Sequence, residues 1–187
     1  MKIFILLAGL LLQGIAMAQS SEQPPLVLNY DYVELRFVDV DSNGGDGIRV
    51  NGSYNLGNNW LVVGGLTSLD FNGNVDTTTW ELGAGYVWDY SNDFDLLSSL
   101  RYVRAEADTP IGNADDNGFA FSAGARGLLT PEFEIRGSVN HVNFDNSDTY
   151  LELAGDYHFS RQFAAGLSVE FAGDTDIITV GARWFFR

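Results

Sequence analysis

The sequence predicts an all-β fold, an antiparallel up-and-down transmembrane β-barrel of about ten strands, with eight strands as the alternative. Segments of nine to fourteen residues alternate apolar and polar side chains, and clusters of Gly, Asn, Asp, Ser, Thr and Pro separate them. Such alternation is typical of strands, and no segment holds the 3.6-residue period of an amphipathic helix. The chemistry of the two strand faces and the position of the aromatic residues then favour a barrel in a membrane.

The chain begins with its only long apolar run. Lys2 precedes the stretch from Ile3 to Ile15, and Ala16-Met17-Ala18 supplies the small residues of a cleavage position. These features predict a Sec signal peptide over residues 1–18, cleaved on export. Residues 19–29 contain Pro24-Pro25 and are expected to form a flexible lead-in, so the barrel is expected over residues 30–187.

Ten strands are predicted in order along the rest of the chain. The alternation places them near residues 30–40, 48–56, 60–71, 77–90, 94–107, 119–130, 133–145, 149–160, 163–173 and 177–186. In the second strand, Ile48, Val50 and Tyr54 share one face, opposite Arg49 and Asn51. The fourth, sixth, seventh, ninth and tenth strands divide in the same way. The third strand is apolar on both faces over residues 60–65, so its register is undecided, and the fifth is also less regular.

Aromatic residues gather beside one set of connections. The members of this group are Trp60, Phe94, Phe133, Phe159, Phe163, Trp184 and Phe186. The adjacent connections are short, at residues 57–59, 91–93, 130–132 and 160–162, whereas the opposite set, such as 41–47, 72–76 and 108–118, is longer or more acidic. An aromatic girdle beside short turns matches the periplasmic side of an outer-membrane barrel.

Composition excludes several functions. The 25 Asp plus Glu against 10 Lys plus Arg give a net charge of −15, so the basic face that nucleic-acid binding requires is missing. Without Cys there is neither a disulfide framework nor a thiolate metal site. The mean hydropathy of −0.03 suits a soluble domain, but an apolar exterior averaged with a polar interior gives the same value.

Several of these features together resemble a known group. They are the signal peptide, the opening Tyr30-Asp31-Tyr32-Val33-Glu34, the Asp-rich loop ending in Gly47, the run through Asn58-Asn59-Trp60 and the aromatic end of the last strand. The chain is similar to small outer-membrane β-barrel proteins of the OmpA/OmpX-like class, and in particular to the porin-like family once described as a secreted quorum-sensing and plant-immunity factor. The resemblance covers essentially the whole mature chain.

This resemblance implies a location, partners and an assembly signal. It implies the outer membrane of a Gram-negative cell, contact with its lipid and lipopolysaccharide, biogenesis by the barrel-assembly machinery, and a monomer. It also implies an assembly signal in the last strand, whose alternating residues are Ile178, Val180, Ala182, Trp184 and Phe186. Such signals usually end at a terminal Phe, and here Arg187 displaces the signal by one residue.

Charged residues on the polar strand faces predict the chemistry of the interior. The set predicted to point inward is Glu34, Arg36, Arg49, Glu81, Arg101, Arg126, Glu134, Arg136, Glu152, Glu170 and Arg183. Nearly balanced charges with bidentate Arg suit a narrow lumen packed with ion pairs, because an unpaired charge there costs much desolvation free energy. The alternative is a small water-filled channel lined by well-solvated charges.

Acidic loops are candidates for weak cation binding. Of 17 Asp, twelve lie in or beside the five presumed outer loops. The candidate cation sites are Asp39, Asp41, Asn43, Asp46, Asp115 and Asp116. Residues 39–44 match the first half of an EF-hand loop, but Val50 stands where a bidentate Glu is required. The alternative is that these Asp are turn formers and solvating residues, so no metal and no cofactor is firmly expected.

Catalysis is not expected. Asp156, His158 and Ser160 share one strand face, with Glu170 on the next strand, and the His-x-Ser spacing resembles that of outer-membrane lipid A deacylases, which also use a Glu. Residues i and i+2 of a strand are about 6.5–7 Å apart, too far for a nucleophile–base hydrogen bond. The favoured interpretation is a structural role near the turn, and His141 is expected to lie at the membrane interface.

Three functions remain open from the sequence. The first is an integral outer-membrane barrel with a structural or surface-interaction role, acidic outer loops and a narrow ion-paired lumen. The second is a small porin for ions or small solutes. The third is a soluble periplasmic β-barrel carrier, which would need its apolar face inside.

Overall fold

The computed structural model describes residues 27–41, 44–144, 147–173 and 175–186, and folds them into a closed barrel. The strands are β1 (Tyr32–Val40), β2 (Gly45–Gly57), β3 (Trp60–Phe71), β4 (Val75–Ser91), β5 (Phe94–Thr109), β6 (Gly112–Thr130), β7 (Phe133–Asn143), β8 (Ser147–His158), β9 (Phe163–Ala172) and β10 (Thr175–Phe185). Each strand pairs antiparallel with its sequence neighbours, and the ten-stranded up-and-down prediction is confirmed. The predicted signal peptide lies outside the described residues.

Pairing between the first and last strands closes the barrel. The register of β1 against β10 runs from Tyr32 opposite Phe185 to Val40 opposite Ile177. Closure removes the open sheet edge, and lipid demands this because it offers no hydrogen-bond partners to unpaired backbone groups. Within the described residues, no helix is long and apolar enough to span a membrane.

Both ends of the barrel have short connections. We call one end the terminal rim; it comprises residues 27–31, Phe186 and the turns near residues 58, 92, 131 and 161. In the first of these turns, Asn58 and Asn59 have φ of 50° and 67°. The opposite end is the distal rim. There the predicted loop over residues 108–118 is wrong, because β5 continues to Thr109 and β6 begins at Gly112. Asp and Asn disfavour strands, yet cross-strand pairing overrides that local preference here.

Apolar side chains cover the outside of the barrel. On β10, Ile178 and Trp184 point outward and remain 44% and 49% exposed, whereas Thr179 and Arg183 point inward and are buried. A soluble carrier would show the reverse arrangement, and the structure is inconsistent with that alternative.

Aromatic residues form two girdles on this outer surface. Near the terminal rim, exposed rings include Trp60, Phe133, Phe159, Phe163, Trp184 and Phe186. A second arc lies nearer the distal rim, where the ring of Tyr102 contacts those of Trp80 and Phe119 at centroid distances of 5.5 and 5.9 Å. Two aromatic belts flanking an apolar band are the signature of a barrel that crosses a bilayer.

The structure defines the register of the third strand. Trp60, Val62 and Leu66 point outward, and Leu61 and Val63 point inward. The strand is apolar on both faces because its inner face packs against the segment that precedes β1.

A close approach between β8 and β9 depends on glycine. A Cβ added at Gly166 would lie 2.1 Å from the Gly155 carbonyl oxygen and 2.4 Å from Oδ1 of Asp156. We expect Gly166→Val to force these strands apart and lower the free energy of unfolding by about 1–3 kcal/mol or more. The measurement is urea unfolding in detergent micelles, combined with the gel mobility shift on boiling. The matched control is Ala165→Val on the outer face, and equal stability of the two variants would contradict this role of Gly166.

Candidate functional site

The inner wall of the barrel carries six of the eight described arginines, together with several carboxylates. Because strand side chains alternate between the two faces, acids and arginines spaced two residues apart all enter the lumen. The carboxylates on this wall below the distal rim are Glu34, Glu81, Asp95, Glu134, Glu152, Asp156 and Glu170, and the arginines are Arg36, Arg49, Arg101, Arg126, Arg136 and Arg183. The lumen is therefore close to electrically neutral although the chain as a whole is strongly acidic.

Arg183 is the centre of a buried ion-pair network. Its side chain is 1% exposed and contacts three carboxylates contributed by three different strands. Its Nε and Nη2 donate to Glu34 Oε2 at 2.8 and 2.6 Å, and its Nη1 donates to Glu134 Oε1 at 2.9 Å. Nη2 also lies 3.3 Å from Asp156 Oδ2. One guanidinium thus joins β1, β7 and β8 across the barrel.

Glu134 receives donors from three sides. Arg126 donates to it through Nε and Nη2, both at 2.8 Å, in a bidentate pair. Nε2 of His158 lies 3.0 Å from Oε2, and the imidazole stacks on Phe185 at a centroid distance of 5.4 Å. The Glu134 side chain is fully buried. Multiple charge-assisted hydrogen bonds offset the desolvation cost of such a carboxylate.

Arg36 completes the network on β1. Its Nε and Nη2 donate to the two Glu34 oxygens at 2.6 and 3.1 Å, and Nη2 also donates to Asp156 Oδ1 at 3.0 Å. Its Nη1 donates to the Thr179 hydroxyl at 3.3 Å, and that hydroxyl pairs with Ser168 at 2.7 Å. The network therefore fills the lumen on the side of β7, β8, β9, β10 and β1.

Among the described residues of the lumen, two further ion pairs lie outside this network. Arg49 of β2 donates to Glu170 of β9, and its Nε donates to Thr67 Oγ1 at 3.3 Å. Arg101 of β5 donates through Nη1 to Glu81 Oε1 of β4 at 3.0 Å. Each pair joins strands that the central network does not connect.

The segment before β1 enters the terminal mouth of the barrel. Tyr30 is 8% exposed and packs with Leu61 of β3 and Val87 of β4, and partly buried Leu28, Val63 and Leu97 surround them. The inner faces of β3, β4 and β5 are apolar at this level, which matches the apolar side chains that dock there. We call residues 27–31 the plug segment.

Polar contacts hold the plug segment in place. The Tyr30 hydroxyl donates to Asp95 Oδ2 at 2.7 Å, and burial raises the pKa of that phenol far above its usual value. Arg126 Nη1 donates to the Asn29 carbonyl at 2.7 Å, and its guanidinium lies 4.8 Å from the centroid of the Tyr30 ring. The backbone N–H of Asn55 donates to Asp31 Oδ1 at 2.6 Å. Arg126 thus connects the plug segment directly to the ion-pair network.

A polar cavity of about 190 Å³ occupies the other side of the lumen. The strands from β2 to β8 contribute to its wall, and Tyr30 and Tyr32 contribute at the terminal rim. Its polar lining side chains are Asn51, Ser53, Glu81, Ser99, Arg101, Ser122, Arg126, Arg136, Ser138, Asn140 and Glu152. The lumen is divided into a packed ionic half and a half with room for small molecules.

Comparison with known families agrees with this architecture. The family model described as "Outer membrane protein beta-barrel domain" matches residues 3–181. The chain belongs to this outer-membrane β-barrel family. No curated protein matches the chain.

Solved structures show the same fold. The KdgM porin is similar with a TM-score of 0.54 at 12% identity, over 83% of this chain and 99% of that one. The NanC porin is similar with a TM-score of 0.51 at 10% identity, over 82% of this chain and 100% of that one. A KdgM structure in complex with disordered oligogalacturonate also matches, with a TM-score of 0.51 at 13% identity and coverage of 83% and 99%. At these identities the likeness concerns the fold alone.

The structure brings together six of the residues predicted for the lumen charge network. Glu34, Arg36, Arg126, Glu134, Arg136 and Arg183 form one cluster, and the pairs Arg49–Glu170 and Arg101–Glu81 lie apart from it. Glu152 lines the cavity. On β10, Ile178, Val180, Ala182 and Trp184 share the outward face, and Phe186, directly after the strand, continues it.

Sequence reasoning left out two members of the network. Asp156 and His158 lie on the same face of β8 as Glu152, so their parity could have placed them in the lumen. Ser160, the third residue of that motif, accepts backbone N–H groups from Gln162 and Phe163 in the adjoining turn. Asp156, His158 and Ser160 are thus each engaged in structural hydrogen bonds.

The described acidic residues of the distal rim form no compact metal cage. Among the described residues, no group of three or more His, Cys, Asp or Glu side chains is placed to hold a metal ion. Asp115 pairs with Arg104 at 3.5 Å, Asp116 accepts the backbone N–H of Asn117, and Asp39 lies opposite Asp46 across β1 and β2. Asp41 lies in the connection after β1, and Asn43 lies outside the described residues.

Glu134 provides a test of the network. Removing one partner of a buried ion pair leaves uncompensated charge, so we expect Glu134→Gln to lower the free energy of unfolding by about 3–5 kcal/mol. Urea unfolding monitored by tryptophan fluorescence measures it. Glu132→Gln, an exposed acid in the preceding turn, is the matched control and should change stability by less than about 0.5 kcal/mol. If Glu134→Gln changed the free energy of unfolding as little as the control does, the network would not contribute to the stability of the barrel.

Proposed function

We propose that this family member is a structural barrel of the outer membrane that interacts with its surroundings through its surface, and that its lumen is closed. The observation that carries the proposal is the buried network around Arg183, which joins β1, β7 and β8 across the interior. A path for ions needs hydrated space, and this half of the lumen is filled with side chains that are paired with one another. We place the terminal rim in the periplasm.

The plug segment supports closure of the other half. Leu28 and Tyr30 cover the apolar inner surface of Leu61, Val63, Val87 and Leu97. Withdrawing the segment would expose that surface to water, which costs about 25 cal/mol for each Å² of apolar area. It would also break the Tyr30–Asp95 hydrogen bond. The docked arrangement is therefore the stable state.

A ladder of aspartates at the distal rim supports a surface role. Asp39, Asp46, Asp70, Asp76 and Asp108 are direct neighbours across β1 to β5, and all point outward. Like charges directly opposite one another in a sheet are destabilising, so the ladder requires counter-charge. Divalent cations shared with the phosphates of lipopolysaccharide supply it, because hard cations prefer oxygen ligands.

A second candidate function is a small porin, and the polar cavity favours it. KdgM is known in complex with disordered oligogalacturonate. The cavity here, at about 190 Å³, would admit only ions or a small solute. Opening it to the periplasm would require displacement of the plug segment.

Planar-bilayer recording separates the two functions. The wild-type barrel is expected to give no steady unitary currents, whereas Leu28→Ala with Tyr30→Ala should give them, because it opens the terminal mouth into the cavity. Val33→Ala, an outward neighbour, is the matched control and should remain silent. Reproducible unitary currents from the wild-type barrel would instead support the porin.

Substitution of Asp70 tests the ladder, because Asp70 has an aspartate on each side. In EDTA, Asp70→Asn is expected to raise the free energy of unfolding by about 0.4–2 kcal/mol, because it removes the repulsion between Asp70 and its two neighbouring aspartates. In Mg²⁺ with lipopolysaccharide the gain should vanish. The readout is thermal unfolding in lipopolysaccharide-containing vesicles, with Asp93→Asn in a terminal turn as control. Equal stabilisation of wild type and variant by Mg²⁺ would contradict a role for the ladder.

A further inference from the structure

We propose that the lumen cavity is a binding site for a small neutral polyol of three or four carbons. This inference goes beyond the structural role proposed above, because a solute can occupy the cavity whether or not the barrel conducts. The size, the hydrogen-bonding groups and the charge of the wall each contribute to the assignment.

The volume of the cavity limits the ligand to a small molecule. Ligand pockets for drug-sized molecules measure about 300–1,000 Å³, whereas this cavity measures about 190 Å³. An apolar cavity of about 150 Å³ engineered in another protein holds benzene, a molecule with six heavy atoms. Glycerol, with six heavy atoms, and erythritol, with eight, are therefore of the appropriate size.

The wall is rich in groups that bind hydroxyls. Four serines and two asparagines of its lining carry inward-pointing side chains, namely Ser53, Ser99, Ser122, Ser138, Asn51 and Asn140. Some are already paired, since the Ser99 and Ser122 hydroxyls lie 2.7 Å apart and Asn140 donates to Ser138 at 3.0 Å. Such a polar wall does not favour an apolar ligand, which would leave these groups without water.

Several buried polar atoms of the wall have no hydrogen-bond partner among the described residues. They are Oγ of Ser53, Nε of Arg101, and Nε and Nη2 of Arg136. Ser53 is only 5% exposed, and it points inward from β2 into the cavity wall. Buried polar groups in native proteins are nearly always hydrogen-bonded, so these unpaired atoms beside the cavity leave hydrogen-bonding capacity that a small rotation of their side chains would turn towards a molecule there.

Arg136 differs from the other arginines of the network. Its Nη2 lies 3.4 Å from Asp156 and 3.6 Å from Glu34, which are ion-pair distances without a hydrogen bond. The network contains four arginines and three carboxylates, and Arg136 is the arginine with the largest exposed side-chain fraction, 21%. Arg136 is therefore the arginine of the network with the most room to turn towards a molecule in the cavity.

Charges of both signs on the same wall favour a neutral ligand with several hydroxyls. Glu81 and Glu152 can accept hydrogen bonds from hydroxyls, and they share the wall with Arg101, Arg126 and Arg136, so the cavity presents both signs of charge side by side. The aspartate ladder repels an anion approaching from the distal rim, and the nearly neutral lumen gives a cation no net attraction. A hydroxyl both donates and accepts, so vicinal hydroxyls satisfy guanidinium donors and carboxylate acceptors together.

Side-chain NMR of the refolded, isotope-labelled barrel in lipid nanodiscs tests the site. Erythritol is the probe, and glycerate, a small polyol that carries a carboxylate, is its charged counterpart. We expect erythritol to shift the Arg101 and Arg136 Nε–H resonances saturably in the millimolar range, and glycerate to bind at least threefold more weakly. Tighter binding of glycerate would overturn the neutral-polyol assignment. Linear, non-saturating shifts would show a cavity that holds only water, and would also overturn it.

Two variants locate the binding within the barrel. Ser53→Leu fills the cavity, and the Ser53 hydroxyl has no hydrogen-bond partner among the described residues to lose, so the variant should abolish saturable shifts. Its control, Ser68→Leu, lies on the outer face of β3 and should bind as wild type does. If Ser53→Leu fails to fold, as judged by gel mobility on boiling, Glu152→Gln is the second test. Glu152→Gln should weaken erythritol binding and strengthen glycerate binding, and unchanged affinity for both would exclude this cavity as the site.

Discussion

Arginine and carboxylate side chains inside a narrow barrel must neutralise one another, and the remaining features of this structure depend on that constraint. Arg183 satisfies it by contacting Glu34, Glu134 and Asp156 at once. Each of these acids has further donors from Arg36, Arg126 or His158. Because removal of one partner leaves a buried charge uncompensated, the network fixes the relative positions of the strands that carry it.

The same arginine chemistry explains how the terminal mouth is sealed. Arg126 binds Glu134 with two nitrogens and the Asn29 carbonyl with the third, and it lies over the Tyr30 ring. The plug segment is therefore held partly by apolar packing and partly by a residue of the network. Ionic and apolar parts of the lumen are continuous, and the polar cavity occupies the space that neither fills.

Much of this arrangement could be predicted from the sequence, because side-chain alternation fixes which face of a strand each residue occupies. Parity alone placed Glu34, Arg126 and Arg183 in the lumen, but it could not say which acid binds which arginine, since pairs such as Arg183–Glu34 join residues that are distant along the chain. The apolar inner face of β3 was visible in the sequence, and its cause was not, because residues 27–31 have no periodic pattern. Local strand propensity gave a wrong prediction at residues 108–118, where Asp and Asn lie in strands because β5 and β6 pair with each other.

The most direct test of the ion-paired lumen is hydrogen exchange of arginine side chains, followed by NMR of the wild-type barrel in lipid nanodiscs. If the network is buried and paired, the Nε–H groups of Arg36, Arg126 and Arg183 will exchange about a hundredfold more slowly, or slower still, than that of Arg161 in an exposed turn. Exchange of these protons at the rate of Arg161 would contradict the account, because it would mean that water reaches the centre of the lumen.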